Sequence, residues 1–287
     1  MNIQHFFHAA TWTHTYVVYD PHTRDAVIID PVLDFDTAAW SVSTETIEMV
    51  CEWITQTGLT VHMCLETHVH ADHMSASQYV NRHLGCDVVI GAGVTKVLET
   101  FRHVLSLGNE VPTDGSGFDI LANDGATLDA GSLHIDIIAT PGHTPACTTY
   151  RIQDAIFTGD VLFMPDQGTG RCDFPGGSAQ DQFDSIHKLY KLPPNTRVFV
   201  GHDYGPGGRE IAHESTIQDE MQSNVQLPAD RSRDNFIAFR TARDAGLNPP
   251  KLLLQSLQVN CRAGRMPSAA PNGHTYLLMP LTIADSI

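Results

Sequence analysis

The most informative segment of this chain is VHMCLETHVHADH, residues 61–73. Its first half is an apolar run that predicts a strand. The loop that follows contains three histidines and one aspartate, namely His68, His70, Asp72 and His73. A strand that ends in such a loop brings imidazole nitrogens and a carboxylate to one place, as a transition-metal site requires. A solvated, histidine-rich turn is the alternative interpretation of this segment alone.

Three more residues of metal-ligand type follow predicted strands further along the chain. His143 comes after HIDIIAT, Asp160 comes after AIFTG, and His202 comes after RVFVG. Taken singly, each could be an ordinary turn or surface residue. A ligand at a strand end is fixed by the sheet and exposed to the loops above it, which is the usual setting of catalytic residues. The repeated pattern therefore predicts that seven side chains converge on one metal site.

The order of these motifs resembles that of a known superfamily. HVHADH, then PGHTPAC (141–147), FTGD (157–160) and GHDY (201–204) are similar to the motifs of the metallo-β-lactamase fold superfamily, from Tyr16 to about Tyr204. The resemblance implies an α/β fold, an αββα sandwich with the metal site along one edge.

Two further segments narrow the resemblance to one enzyme family. AVIIDPVL (26–33) and GRCDF (170–174) resemble segments of the persulfide dioxygenases, iron enzymes that oxidise glutathione persulfide with O₂ to sulfite. That family implies one Fe²⁺ on a facial triad of His68, His143 and Asp160. The other four ligand-type residues, His70, Asp72, His73 and His202, would then surround the ligands and orient them by hydrogen bonds.

The same seven residues are also compatible with a hydrolase, so the ligand pattern alone does not distinguish a dioxygenase from a hydrolase. The related glyoxalase II enzymes hold two Zn²⁺ ions. In this chain Asp160 would bridge the two ions. One ion would take His68, His70 and His143, and the other Asp72, His73 and His202, with a shared hydroxide attacking a thioester. Those hydrolases usually carry a GRFFEG-like segment where this chain has GRCDFPGG. A third interpretation is a non-catalytic metal-binding or sulfur-sensing protein.

The family resemblance also implies substrate contacts. Arg171 and Asp173 match the dioxygenase pattern, although Cys172 stands where the family commonly has threonine, and a purely structural Arg171–Asp173 pair is the alternative. Tyr204 is a candidate hydrogen-bond donor toward bound substrate or oxygen. Arg262 and Arg265 correspond to a glutathione-contacting region, where arginine suits a carboxylate through two-point hydrogen bonding.

Composition and charge limit the classes of protein that remain. The chain has 287 residues, 42% hydrophobic residues and a formal net charge of −16, and this composition is typical of a soluble globular enzyme. The acidic balance disfavours nucleic-acid and anionic-membrane partners. We expect the six cysteines to be buried free thiols, and the N-terminus shows neither a signal peptide nor a membrane segment. The resulting expectation is a cytoplasmic enzyme, and a homodimer is considered because dimers are common among soluble enzymes of this size.

We predict a single domain over residues 1–287, with a helical C-terminal region at about 207–250. The stretch at about 94–120 is predicted to be an insertion that covers the site, contacts a neighbouring subunit or is an ordinary long loop. The predicted elements are a hairpin over Thr11–Tyr19 and Asp25–Asp30, and helices over Thr44–Thr57, Asp72–Leu84, Ser178–Tyr190, Arg209–Asn224 and Asp234–Ala245.

Overall fold

A computed structural model describes residues 1–281 and 283, and in that part of the chain the strands form two mixed six-stranded sheets and one small sheet. The strands are β1 (Asn2–His8), β2 (Thr13–Tyr19), β3 (Asp25–Ile29), β4 (Val32–Asp36), β5 (Ser41–Ser43), β6 (Thr60–Glu66), β7 (Met74–Ser75), β8 (Asp87–Gly91), β9 (Ile120–Ala122), β10 (Thr127–Ala130), β11 (Leu133–Ala139), β12 (Thr148–Ile152), β13 (Ala155–Phe157), β14 (Arg197–Phe199) and β15 (Glu214–Thr216). The strand orders are β1-β2-β3-β6-β8-β9, β10-β11-β12-β13-β14-β15 and β5-β4-β7.

The helices lie on the outer faces of the two large sheets. They are α1 (Glu45–Thr57), α2 (Ser77–Leu84), α3 (Val94–Val104), α4 (Ala179–Leu189), α5 (Ile217–Ser223), α6 (Arg233–Asp244) and α7 (Leu253–Asn260). Helices α1 and α2 pack on one face of the first sheet, and α4 and α6 pack on the second sheet. Among the described residues, none of these helices has the length and apolar character needed to span a bilayer.

The alternation of side chains along each strand produces the layers. Residues such as Val18, Ile29 and Leu65 point between the two sheets, where they meet Tyr150 and Phe199. Their neighbours in sequence point the other way, toward the helices, because successive strand residues face opposite sides of a sheet. Full burial of one such side chain contributes roughly 1.5–3 kcal/mol. The αββα sandwich that the motifs predict is therefore confirmed.

Two predicted helix boundaries are wrong, and both errors have a local cause. Asp72 does not begin a helix, because the chain first forms β7 against β4, and α2 starts only at Ser77. The helix predicted from Arg209 begins instead at Ile217. The residues before it form β15, which pairs with β14, and Thr216 then caps α5 by accepting from the Asp219 N–H at 3.1 Å.

Other predictions agree with the structure. The hairpin is formed by β2 and β3, and α1 covers all but the first residue of its predicted span. Ser178 caps α4, since its hydroxyl accepts from the Asp181 N–H at 3.1 Å. The six cysteines are buried free thiols.

The segment at about 94–120 packs on the first sheet, and its residues Val97 and Phe101 line a small cavity together with His143. Its helix α3 places Val97, Leu98 and Phe101 against Val88 and Ile90 of β8. Among the described residues, none from this segment lines the large cavity next to the predicted metal site. This geometry gives no support to a lid over that cavity, and the role of the segment as an insertion or a subunit contact stays a prediction. The assignment of residues 1–287 to one domain stays a prediction, and positions 282 and 284–287 lie outside the described residues.

Candidate metal centre

The loop after β6 is fixed from below by Asp30, which follows β3. The Asp30 carboxylate accepts from the Thr67 N–H and hydroxyl, both at 2.8 Å, and from the His70 Nε2–H at 3.0 Å. Burial alone would raise the pKa of Asp30, but the charge and hydrogen bonds of His70 and Thr67 outweigh it and keep the pKa below its usual value. The aspartate of AVIIDPVL therefore orients the metal loop.

A second support for this loop comes from the far end of the sequence. Asn260, the last residue of α7, donates from Nδ2 to the carbonyl oxygens of His70 and His73, each at 2.8 Å. Its Oδ1 accepts from the Ser75 N–H at 2.8 Å. Sequence reasoning missed both Asp30 and Asn260 as supports, because neither contact depends on a local pattern.

All seven predicted ligand-type residues meet at the edge of the sandwich, and their donor atoms form two groups. The first group contains His68, His143 and Asp160. The second contains the other four, His70, Asp72, His73 and His202, and within each group the donor atoms lie within 4.8 Å of one another. The binuclear hypothesis assigned His70 to the first group; its ring lies 4.1 Å from that of His68 and 4.2 Å from that of His73, so His70 borders both groups and the assignment stays a prediction.

The distances fit ions bound within these groups. Oδ2 of Asp160 lies 3.7 Å from His143 Nε2 and 4.0 Å from His68 Nε2. Two atoms bound to one ion at about 2.1 Å are at most about 4.2 Å apart. The other carboxylate oxygen, Oδ1, lies 3.4 Å from His202 Nε2. Asp160 therefore faces both groups, one oxygen to each.

The hydrogen-bond inventory supports a cation at this place. Nine buried side-chain atoms have no hydrogen-bond partner among residues 1–281 and 283, and five of the nine belong to the two donor groups, namely His68 Nε2, His70 Nδ1, His73 Nε2, Asp160 Oδ1 and His202 Nε2. Buried polar atoms without a partner are costly, and they are rare unless something else satisfies them. Because five of the nine atoms are concentrated in the two donor groups, the set fits a metal ion.

The protonation states suit metal binding in part of the cluster. Burial, with repulsion from neighbouring imidazoles, holds the pKa of His68 far below its usual value and lowers the pKa of His73 to about 4. Both rings are therefore neutral, the form that binds a metal. The His202 pKa is raised, because the Asp72 and Asp160 carboxylates outweigh the effect of burial.

The GRCDF loop reaches the first group through its backbone. His143 Nδ1–H donates to the Arg171 carbonyl oxygen at 2.7 Å, which directs Nε2 toward Asp160. The Gly170 N–H donates to the Asp160 carbonyl oxygen at 3.1 Å, and a Cβ at position 170 would lie 2.1 Å from that oxygen. The loop is fixed in turn by Asp244 of α6, whose carboxylate accepts from the Cys172 N–H at 2.8 Å. Glycine is thus required at the position where the loop touches the ligand.

A cavity of about 850 Å³ opens beside the two groups. It is lined on one side by Asp72, His143 and Asp160, and further out by cationic and aromatic side chains that include Trp12, Phe163, Arg171, Tyr204, Arg240, Arg243 and Lys251. Arg240 is 1% exposed and pairs with Asp244. Arg243 and Lys251 form no ion pair within residues 1–281 and 283. The sequence patterns did not single out any of these three cations.

Of the predicted substrate-binding residues, the structure places Arg171 and Tyr204 at the cavity. Arg171 lines the cavity, but its guanidinium pairs with Asp173 through two contacts of 2.6 Å and donates to the Asn248 carbonyl oxygen at 2.7 Å. The Arg171–Asp173 ion pair, which was the alternative to a direct substrate contact, is thus formed. Tyr204 also lines the cavity, 48% exposed, with its ring parallel to that of His202 at 6.0 Å.

The structure does not bring Arg262 and Arg265 to the cavity. Arg262 pairs with Glu110 at 3.2 Å, and Arg265 donates to the Gly117 carbonyl oxygen at 2.6 Å. Both side chains therefore fasten the turn after α7 to the segment at about 94–120, and neither lines the cavity. A substrate-binding role for them finds no support in this geometry.

Comparison with known proteins places these observations in a family. The family model described as "Metallo-beta-lactamase superfamily" matches residues 12–202. A Burkholderia pseudomallei protein named "probable metallo-hydrolase" is 44% identical over 98% of this chain and 99% of its own length. The mitochondrial persulfide dioxygenase ETHE1 of Bos taurus is 31% identical over 91% of this chain and 88% of its own. The crystal structure of ETHE1 from Myxococcus xanthus superposes with a TM-score of 0.75, at 30% identity, over 92% of this chain and all of that one. The chain belongs to the metallo-β-lactamase superfamily.

Proposed function

We propose that this protein is an Fe²⁺-dependent dioxygenase that oxidises glutathione persulfide. The observation that carries the proposal is the first donor group. His68, His143 and Asp160 form one group whose donor atoms lie within 4.8 Å of one another, and His143 and Asp160 of this group border the cavity. Two imidazoles and one carboxylate are the ligand set of non-haem Fe²⁺ oxygenases, in which the ion keeps open positions for substrate and O₂.

The proposed reaction balances with one water. A persulfide RSSH, O₂ and H₂O give the thiol RSH and sulfurous acid, which ionises to sulfite. The terminal sulfur is oxidised from the sulfane state to the +4 state, and O₂ accepts the four electrons. When bound, Fe²⁺ would supply the electron transfer to O₂. The residues of this chain would bind the substrate and orient the ligands.

The cavity suits an anionic thiol such as glutathione persulfide. Arg243 and Lys251 line it without an ion pair inside the described residues, although the chain as a whole carries a formal charge of −16. Glutathione has two carboxylates, which guanidinium and ammonium groups bind by charge-assisted hydrogen bonds. These two residues replace Arg262 and Arg265 as the proposed substrate contacts.

Tyr204 and Phe163 would bound the reacting end of the substrate. Both line the cavity, and the Phe163 ring lies 6.3 Å from that of His202 and 6.4 Å from that of Tyr204. Aromatic walls exclude water and leave the tyrosine hydroxyl as a directed hydrogen-bond donor. We propose that this hydroxyl donates to the substrate or to oxygen.

A binuclear Zn²⁺ hydrolase is the second candidate, and one observation favours it. Asp160 presents one oxygen to each donor group, as a residue that bridges two ions would. The Burkholderia relative also carries the name of a hydrolase. In that function, a thioester of glutathione would occupy the same cavity.

One set of measurements separates the two candidates. The purified protein is analysed for iron and zinc, and then assayed for O₂ uptake and sulfite with glutathione persulfide and for hydrolysis of S-lactoylglutathione. The dioxygenase consumes one O₂ and forms one sulfite per persulfide, and requires iron. Two bound zinc ions with thioester hydrolysis and no O₂ uptake would instead establish the hydrolase.

A matched pair of variants tests the assignment of the metal group. His143→Ala removes one of the three proposed ligands and should abolish both iron binding and O₂ uptake. His134→Ala removes an exposed histidine that pairs only with Asp129 on the surface, and should leave both unchanged. Full iron content in the His143→Ala protein would contradict the assignment.

A further inference from the structure

A chain of hydrogen bonds leads from the second donor group to a carboxylate outside it. Thr13 Oγ1 lies 3.4 Å from both His73 Nδ1 and His202 Nδ1. It is also 2.8 Å from Thr11 Oγ1, which in turn is 2.7 Å from His8 Nδ1. His8 Nε2 then contacts an oxygen of Asp34 at 3.2 Å, the end of the chain.

The direction of these bonds follows from the carboxylate. Burial alone would raise the pKa of Asp34, but hydrogen bonds from the Thr46 hydroxyl and N–H outweigh it and keep the pKa below its usual value. The ionised carboxylate can only accept, so His8 donates from Nε2. A neutral His8 then accepts at Nδ1 from Thr11, and Thr11 accepts from Thr13.

This direction has one consequence at the donor group. Because the Thr13 hydroxyl donates its proton to Thr11, its lone pairs remain available to accept from the Nδ1–H groups of His73 and His202. An imidazole that donates from Nδ1 exposes its Nε2. The Nε2 atoms of both histidines are the ones that lack a partner among the described residues.

Each of these two histidines also has a second contact. His202 Nδ1–H reaches the Trp12 carbonyl oxygen at 3.2 Å, and His73 Nδ1–H reaches Asp72 Oδ2 at 3.4 Å. Both partners are acceptors, so they favour the same tautomer as Thr13. Thr13 differs from them in contacting both rings at once, and it is 0% exposed.

We propose that Thr13 is a positioning residue of the second donor group, polarised through Thr11 and His8 by Asp34, which fixes His73 and His202 in the tautomer that presents Nε2 to the metal centre. This role belongs to the second group. It holds whether the first group binds iron, as in the proposed function, or zinc, so its failure would not refute the dioxygenase.

The test compares Thr13→Val with Thr13→Ser. Valine removes the hydroxyl at nearly constant volume, whereas serine retains it. Protein with ¹⁵N-labelled histidine is loaded with Zn²⁺, and long-range ¹H–¹⁵N spectra identify which ring nitrogen of each histidine carries a proton. Zn²⁺ affinity is measured in parallel by competition with a chelator.

In the wild type and in Thr13→Ser, His73 and His202 should both be protonated on Nδ1. In Thr13→Val these two Nδ1–H signals should shift and exchange faster with water, while the signals of His68 and His143 stay in place. The weakest zinc equivalent should bind about 10–100-fold less tightly, the usual effect of losing an orienting partner. Thr149→Val is the matched control, because it removes a buried hydroxyl that is bonded to another threonine hydroxyl, Thr140, at 3.0 Å.

Two results would overturn the proposal. One is a Thr13→Val protein with wild-type His73 and His202 signals and wild-type zinc affinity. The other is a Thr13→Ser protein that behaves like Thr13→Val, since the hydroxyl would then not be the active group. If Thr13→Val does not fold, Thr11→Val breaks the relay one bond further out. It should shift the same two signals by a smaller amount, and unchanged signals in that variant would equally refute the relay.

Discussion

Glu220 on α5 is a buried acid whose replacement should stabilise the protein. Its side chain is 0% exposed, and it forms no ion pair within residues 1–281 and 283. Its two carboxylate oxygens accept from the Ser215 hydroxyl at 2.6 Å and from Asn224 Nδ2 at 2.8 Å. Burial raises the pKa of Glu220 to about 7, because these two neutral donors do not compensate for the lost hydration.

The sign and size of the effect follow from this pKa. A glutamate has a pKa near 4.5 when unfolded, so the folded state binds the proton more tightly than the unfolded state. Its contribution to stability is complete below pH 4.5 and is lost as the pH rises through 7. At about 1.4 kcal/mol per pKa unit, the loss is about 1 kcal/mol at pH 5 and about 3 kcal/mol at pH 7.

Glu220→Gln removes this loss without removing the hydrogen bonds. The amide oxygen can accept from Asn224, and the amide nitrogen can donate to the Ser215 hydroxyl, which both donates and accepts. The free energy of unfolding is measured by urea titration in EDTA, at pH values from 5 to 8, for wild type and variant. The variant should gain about 3 kcal/mol over wild type at pH 7 and above, and much less at pH 5.

The other titrating groups are the same in both proteins. The difference between their free energies of unfolding at each pH therefore reports the contribution of Glu220 alone. Glu99→Gln serves as the control for the loss of one negative charge, because Glu99 lies exposed on α3. A variant that is less stable than wild type by the same amount at every pH would show that Glu220 is ionised and satisfied at neutral pH. The argument from burial would then be refuted.

Three further predictions concern the site. Arg243→Ala and Lys251→Ala should each raise the KM for glutathione persulfide by about 10-fold or more, the equivalent of one charge-assisted hydrogen bond, with little change in kcat. Arg233→Ala, on the same helix α6 as Arg243 but paired with Asp184, is the control, and an equal rise in its KM would contradict a specific contact. Asp30→Asn should weaken metal binding about 10–100-fold in chelator competition, because the charged acceptor that orients His70 and Thr67 is lost; unchanged affinity would show that the loop does not need it. Arg265→Ala should leave KM unchanged in the same O₂-uptake assay, since the guanidinium bonds to Gly117, and a raised KM would restore Arg265 as a substrate contact.

The residues that could be predicted from sequence are those whose chemistry is expressed in a local pattern. His68, His70, Asp72 and His73 lie in one loop, and the later donors each follow a recognisable strand, so their convergence could be inferred from the amino-acid sequence alone. The short spacing also led to an error. Asp72 resembled the first residue of a helix, but its carboxylate faces His202 at 3.2 Å, and the chain extends past it as β7 before α2 begins.

The residues that could not be predicted act across long separations in sequence. Asn260 lies almost two hundred positions from the carbonyl groups it binds, and nothing in QVNCRAG marks it as a support for the metal loop. Arg243 and Lys251 are ordinary surface cations in the sequence, and only the packing of α6 and the following turn brings them to the cavity. Arg262 and Arg265 illustrate the opposite error. The sequence pattern suggested substrate contacts, but both side chains bond to the segment at about 94–120.

The donor list alone therefore does not determine the reaction. In the second group, neighbours outside the motif direct the histidines, since Asp30 orients His70 and Thr13 contacts both His73 and His202. In the first group, His143 is directed by the carbonyl oxygen of Arg171. Relatives in the same superfamily carry both hydrolase and dioxygenase names. Because neighbouring residues orient these ring nitrogens, and Arg243 lines the cavity without an ion pair among the described residues, we propose that these outer contacts carry the difference between one reaction and the other.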